Sequence, residues 1–187
     1  MKIPNDQLFG LAAAAVVLIV FTFRERRLRR KMDRFVNSAL LERPLNSSTY
    51  IYDKAEYHFE SVAKHGLPDH QAYNHTTFFI SWLINKSFIA RLFQDREKDN
   101  LDQYRSGAIT INELYERWDC CLTSDMLTAE GNAFAREYFD FSTGIYLKDY
   151  SQHLQQGLQS EFHVAYTPEN EAQIHQVINS RFNEWLI

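Results

Sequence analysis

Two cysteines stand in this 187-residue chain, and they are neighbours, Cys120 and Cys121. Adjacent residues close a disulfide only with strain, and two thiols make no framework, so a disulfide scaffold is excluded. With six glycines and four prolines, neither gathered into a long tract, collagen-like and low-complexity classes are excluded too. Equally absent are the short signatures that name a chemistry. There is no Gly-x-Ser-x-Gly, no Walker loop, no His-Glu-x-x-His and no Cys-x-x-Cys. The segment Asp102–Glu113 has the acid, glycine and glutamate spacing of a calcium loop. Tyr104 stands where an oxygen ligand is required, however, and Arg105 adds a cation. It reads as a glycine loop followed by a helix cap.

One long hydrophobic run is present, Leu8 to Phe23, and it carries no charge. At helical rise its sixteen residues span roughly 24 Å, a little short of a roughly 30 Å hydrocarbon core. The cations Arg24, Arg26, Arg27, Arg29, Arg30 and Lys31 follow at once. A cleaved signal peptide places its cations before the apolar stretch and a small-residue site after it, and this order is the reverse. The positive-inside rule then predicts a single-pass inner-membrane protein with its N-terminus outside and its body in the cytoplasm. The expected organisation is a transmembrane anchor over 1–23, a basic juxtamembrane helix and linker over 24–49, and a helical soluble domain over 50–187. These cations would meet headgroups of the lipid bilayer.

Charge divides unevenly along the chain. Residues 1–34 carry 8 basic and 3 acidic side chains, whereas residues 35–187 carry 12 and 21. The acidic body disfavours nucleic acid and suits a protein partner with a basic surface.

Within that body the pattern is helical, and a mainly α fold is expected. Asp53 is placed to cap a helix through Ala55, Tyr57 and Phe59. Gly66-Leu67-Pro68 stops it, and an apolar segment from Asp69 to Leu92 follows as a buried central helix. Residues 94–107 read as a polar loop. Thr110-x-x-Glu113 has capping-box spacing. Thr128 opens a helix that runs to Tyr138 and Phe139, and Ile145–Leu158 forms another. Glu161–Tyr166 alternates loosely and suits an extended segment. Thr167-Pro168, with Glu169 and Glu171, starts a last helix whose apolar face includes Ile174, Ile178, Phe182 and Trp185.

Two sets of residues are candidates for function. Seven histidines are present, four of them between residues 58 and 75. His58, His75 and His163 are the candidates for acid–base or metal-assisted chemistry, although no ligand spacing supports them. No metal and no cofactor is therefore expected. The aromatic side chains Trp82, Tyr138, Phe139, Tyr146 and Tyr150 are the candidate partner-binding surface, since Tyr and Trp anchor interfaces.

The ordered signals Asp53-x-Ala55-x-x-His58, Gly66-Leu67-Pro68 and Phe79-x-x-Trp82-Leu83 resemble the opening of a bacterial family of unknown function. Gly131-Asn132-Ala133-Phe134-Ala135, Phe162-His163-Val164 and Arg181-Phe182-x-x-Trp185 are similar to its middle and end, so the resemblance spans roughly residues 52–186. It implies a small helical module of the kind that accompanies secreted toxins as an immunity partner. The reading expected from sequence is thus a membrane-tethered, cytoplasm-facing, antitoxin-type protein-binding module rather than an enzyme. The alternatives are a histidine-dependent or metal-assisted enzyme, and a structural subunit of an envelope complex.

Overall fold

The computed structural model describes residues 49–187. The strand β1 (Ile51–Lys54) opens this part, and a 3-10 turn over Ala55–Tyr57 leads into α1 (Phe59–Lys64). A second 3-10 turn, Asp69–Ala72, precedes α2 (Asn74–Asn85), which is followed by α3 (Arg91–Arg96), α4 (Lys98–Arg105) and α5 (Ile111–Arg117). Next come β2 (Cys121–Thr123), α6 (Ala129–Tyr138), α7 (Tyr146–Leu154) and α8 (Pro168–Leu186).

Three helix starts follow directly from their caps. The Thr110 hydroxyl accepts from Glu113 N at 3.2 Å while the Glu113 carboxylate accepts from Thr110 N at 2.6 Å. This reciprocal pair begins α5. Thr128 Oγ1 accepts from Gly131 N to begin α6, and Thr167 Oγ1 accepts from Asn170 N ahead of Pro168 to begin α8.

The fold departs from an all-helical expectation at β1 and β2. They pair antiparallel, with Asp53 opposite Leu122 and Lys54 opposite Cys121. Asp53 is therefore a strand residue and not a helix cap. Two consecutive left-handed residues, Asp119 (φ 54°) and Cys120 (φ 48°), turn the chain from α5 into β2. The polar stretch read as a loop holds the second half of α3 and all of α4. The apolar segment from Asp69 to Leu92 is broken after α2 at Ser87, which has φ 59°. The segment read as extended contains a 3-10 turn, Glu161–His163.

The membrane reading is corrected as well. Among the described residues no helix is long and apolar enough to cross a bilayer. The longest, α8, is 19 residues but carries Glu169, Glu171, Arg181 and Glu184 on its polar side. A single-pass inner-membrane architecture is thus not supported. The run Leu8–Phe23 and the cations Arg24, Arg26, Arg27, Arg29, Arg30 and Lys31 lie outside the described residues.

The core is aromatic and centres on α2. Phe79 stacks on Phe139 with ring centroids 4.4 Å apart and also touches Trp82 and Tyr146. Helices α6, α7 and α8 close around it. Asp149 of α7, almost fully buried, takes two hydrogen bonds from Arg181 of α8 at 2.8 and 3.0 Å, which fixes the pair of helices side by side. The N-terminal end of α2 is pinned from three directions. Asn74 donates to Val164 O, Asn112 donates to Asn74 Oδ1, and the Tyr146 hydroxyl donates to His75 O.

Candidate metal centre

Strand alternation alone would bury every second residue of β1. A bulge between Ile51 and Asp53 breaks that alternation, and Tyr52 and Asp53 are both buried. The 3-10 turn after the strand brings the chain back over its own carboxylate, so that His58 Nε2 lies 2.8 Å from Asp53 Oδ1. The first turn of α2 arrives from the other side. His75 Nε2 lies 3.4 Å from Asp53 Oδ2, and the Thr76 hydroxyl donates to the same oxygen at 2.5 Å. The Asp53 carboxylate thus faces the N-terminal, positive end of α2.

Asp53 is held in its charged form. Burial pushes its carboxyl up, but the interactions with His58 and His75 outweigh burial and hold it well below the ordinary carboxylate range. The ligating atoms of Asp53, His58 and His75 all fall within 4.8 Å of one another. Ligands at about 2.1 Å from a shared ion stand roughly 3.0 Å apart in octahedral and 3.4 Å apart in tetrahedral geometry. The two observed separations, 2.8 Å to Oδ1 and 3.4 Å to Oδ2, are of that size, each to its own oxygen of the carboxylate.

One contact in this cluster is looser than a hydrogen-bonded ion pair. His75 is buried, and its Nε2 faces the Asp53 carboxylate at 3.4 Å, at ion-pair distance but outside good hydrogen-bond geometry. A buried polar atom held only loosely by its partner gains from a closer ligand contact. An ion between the three groups would supply one. Thr76, which donates to Oδ2, is an outer partner that fixes the carboxylate's orientation. The side of the cluster is walled by Phe141 and Phe162, whose rings lie 5.7 and 6.3 Å from that of His75. His58 is partly exposed and Phe141 more so, which makes this the open side. Phe141 is carried by a tight loop. A Cβ on Gly144 would fall 2.1 Å from Tyr138 O, so only glycine allows that closure.

His163 is not part of the cluster. Its Nδ1 lies 2.9 Å from Ser160 Oγ and its ring packs on that of His65, although its neighbour Phe162 touches both cluster histidines. The five aromatics read as a docking surface are core instead. Trp82, Tyr138, Phe139, Tyr146 and Tyr150 are all between 0 and 3% exposed. Their helical spacing marked an inward face. Sequence reasoning missed Asp53 and Thr76, although Asp53 stands five residues before His58 inside a motif already singled out.

Other polar groups are structural. The two cysteines are free thiols, and burial pushes both up, away from nucleophilic character. Ser81 lies 2.9 Å from His175 Nε2, but that nitrogen is also 3.0 Å from Phe78 O. A carbonyl only accepts, so the nitrogen carries a proton and is no base toward the serine.

His175 gives a pH prediction of its own. Burial lowers its imidazole, against the raising effects of Phe78 O and Glu171. A neutral ring favoured by folding gives full stability above the unfolded value of about 6.5. Stability then falls with pH until the lowered folded value is reached. His175→Gln is expected to flatten part of the decline in urea midpoint below about pH 6.5. Parallel curves for the two proteins would contradict this.

Comparison with known proteins adds a family. A family model described as a domain of unknown function (DUF7832) matches residues 51–164, which include Asp53, His58, His75 and Thr76. No curated protein and no solved structure matches the chain.

Proposed function

The chain belongs to the DUF7832 family, and on that footing we propose that Asp53, His58 and His75 hold one divalent transition-metal ion that acts as a Lewis acid. The observation that carries this reading is the convergence of one carboxylate and two imidazoles, with the buried Nε2 of His75 3.4 Å from Asp53 Oδ2 and the Nε2 of His58 2.8 Å from Oδ1. Two imidazoles and one carboxylate suit zinc, iron or nickel better than calcium or magnesium. Three protein ligands leave coordination positions for water and substrate, as in catalytic rather than structural sites. Such an ion lowers the pKa of bound water to about 7 or polarises a carbonyl. In this chain Thr76 orients the ligand carboxylate, and Phe141 and Phe162 flank the open side of the site.

The test is titration of the metal-stripped full chain with Co2+, read by its visible absorption. One equivalent is expected to bind, and Zn2+ is expected to displace it. Absence of a saturable absorption would leave only an Asp–His pair. Binding that survives His75→Ala unchanged would also sink the assignment.

A second reading, an antitoxin-type module for a protein partner with a basic surface, is supported by the acidic excess of residues 35–187. Its contact face would be built from residues other than the five core aromatics, such as the exposed Tyr57 and Phe59.

A further inference from the structure

A cavity of about 380 Å³ opens between α3, the end of α5 and β2. It lies away from the Asp53 cluster. Cys121 and Thr123, which line it, alternate along β2 with Leu122, the buried partner of Asp53. Its size is at the lower end for small-molecule sites.

The chemistry of its walls is specific. Phe93 and Trp118 meet edge to face at 4.9 Å, and Met126 adds a third apolar surface. The indole Nε1 of Trp118 is buried and has no acceptor. Arg117 is held by two neutral amide oxygens, Asn100 Oδ1 at 2.9 Å and Gln103 Oε1 at 3.1 Å. Among the described residues no carboxylate lies within ion-pair distance of it, and Glu113, one turn earlier on α5, acts on its charge only through space, so the exposed guanidinium keeps donors free toward the cavity. Arg96, by contrast, is engaged with Glu97 and with the face of Phe93. Glu97 and Asp119 also line the cavity, and they oppose a doubly charged anion more than a singly charged one.

We propose that this cavity binds a small monocarboxylate with an apolar body. The carboxylate pairs with Arg117, and the apolar part packs against Phe93, Trp118 and Met126. A guanidinium fork matches a carboxylate, while the two acids disfavour a dianion such as phosphate. Apolar floor and single charge select together: neither a neutral alcohol nor a bare ion satisfies both. The proposal does not depend on the metal reading, and either can fail alone.

The probe is 4-phenylbutyrate, added to the full chain and followed by tryptophan fluorescence and calorimetry. Saturable binding is expected, with Cys121 protected from iodoacetamide more than Cys120. Arg117→Gln is expected to weaken binding about 10-fold with the far-ultraviolet spectrum unchanged, and Arg117→Lys to restore part of it. Equal affinity for 4-phenylbutanol would overturn carboxylate recognition. Competition by inorganic phosphate at similar concentration would overturn the single-charge argument. No saturation, or unchanged binding in the folded Arg117→Gln protein, would overturn the site itself.

Discussion

Asp53→Asn is expected to weaken binding of Zn2+ at least about 100-fold, equivalent to roughly 2.7 kcal/mol. The substitution keeps the shape of the side chain and its acceptor toward Thr76, but it replaces an anionic ligand with a neutral amide. Two imidazoles alone make a poor site, since the carboxylate supplies both a ligand atom and the negative charge buried beside His58 and His75. Thermal denaturation reads the same change. An ion at about 100 times its Kd stabilises the native state by about 2.7 kcal/mol, which shifts Tm by roughly 10 °C in a domain of this size. The wild-type chain is expected to show that shift and Asp53→Asn to show almost none. Similar shifts in both proteins would place the ion elsewhere.

Phe79→Ala is expected to cost about 3–5 kcal/mol of stability, measured as a lowered urea midpoint at unchanged slope. Phe79 has no exposed surface. Its ring lies against Phe139 at 4.4 Å, Tyr146 at 5.5 Å and Trp82 at 5.8 Å, so it joins α2 to the helix ends that pack on it. Removing it leaves a void lined by rings that cannot collapse without leaving their own partners. A loss below about 1 kcal/mol would mean that the aromatic cluster is not the centre of the core. The same packing holds the Tyr146 hydroxyl on the carbonyl of His75, which links the core to the cluster.

Much of the helical body was legible because its signals are local. The Thr110–Glu113 box, Thr128 and the Thr167-Pro168 start each place a cap within three residues of the groups it satisfies, and all three are observed. The small sheet was not legible. β1 is four residues, β2 is three, and they meet across nearly 70 residues of chain, so no periodicity within either strand reports the pairing. Asp53 was misread for that reason. An aspartate before Ala-x-Tyr looks like a helix cap until a bulged strand turns it inward.

The site was half legible. His58 and His75 were candidates by residue type, but their convergence depends on the strand and on the entry angle of α2. His163 entered by the same logic and lies with His65 and Ser160 instead. The aromatics were misassigned because helical spacing identifies a face without saying whether that face looks inward. The anchor reading rested on residues 1–34. No described helix supports a membrane crossing, and the metal assignment does not draw on that part of the chain.

X-ray absorption at the metal edge, on the full chain loaded with one equivalent of Zn2+, tests the central assignment most directly. The account predicts two imidazole nitrogens and one carboxylate oxygen at about 2.0–2.2 Å, with the remaining coordination supplied by water. Loss of one imidazole shell is expected in both His58→Ala and His75→Ala. A spectrum with sulfur ligands, or one identical in wild-type and His75→Ala protein, would contradict it.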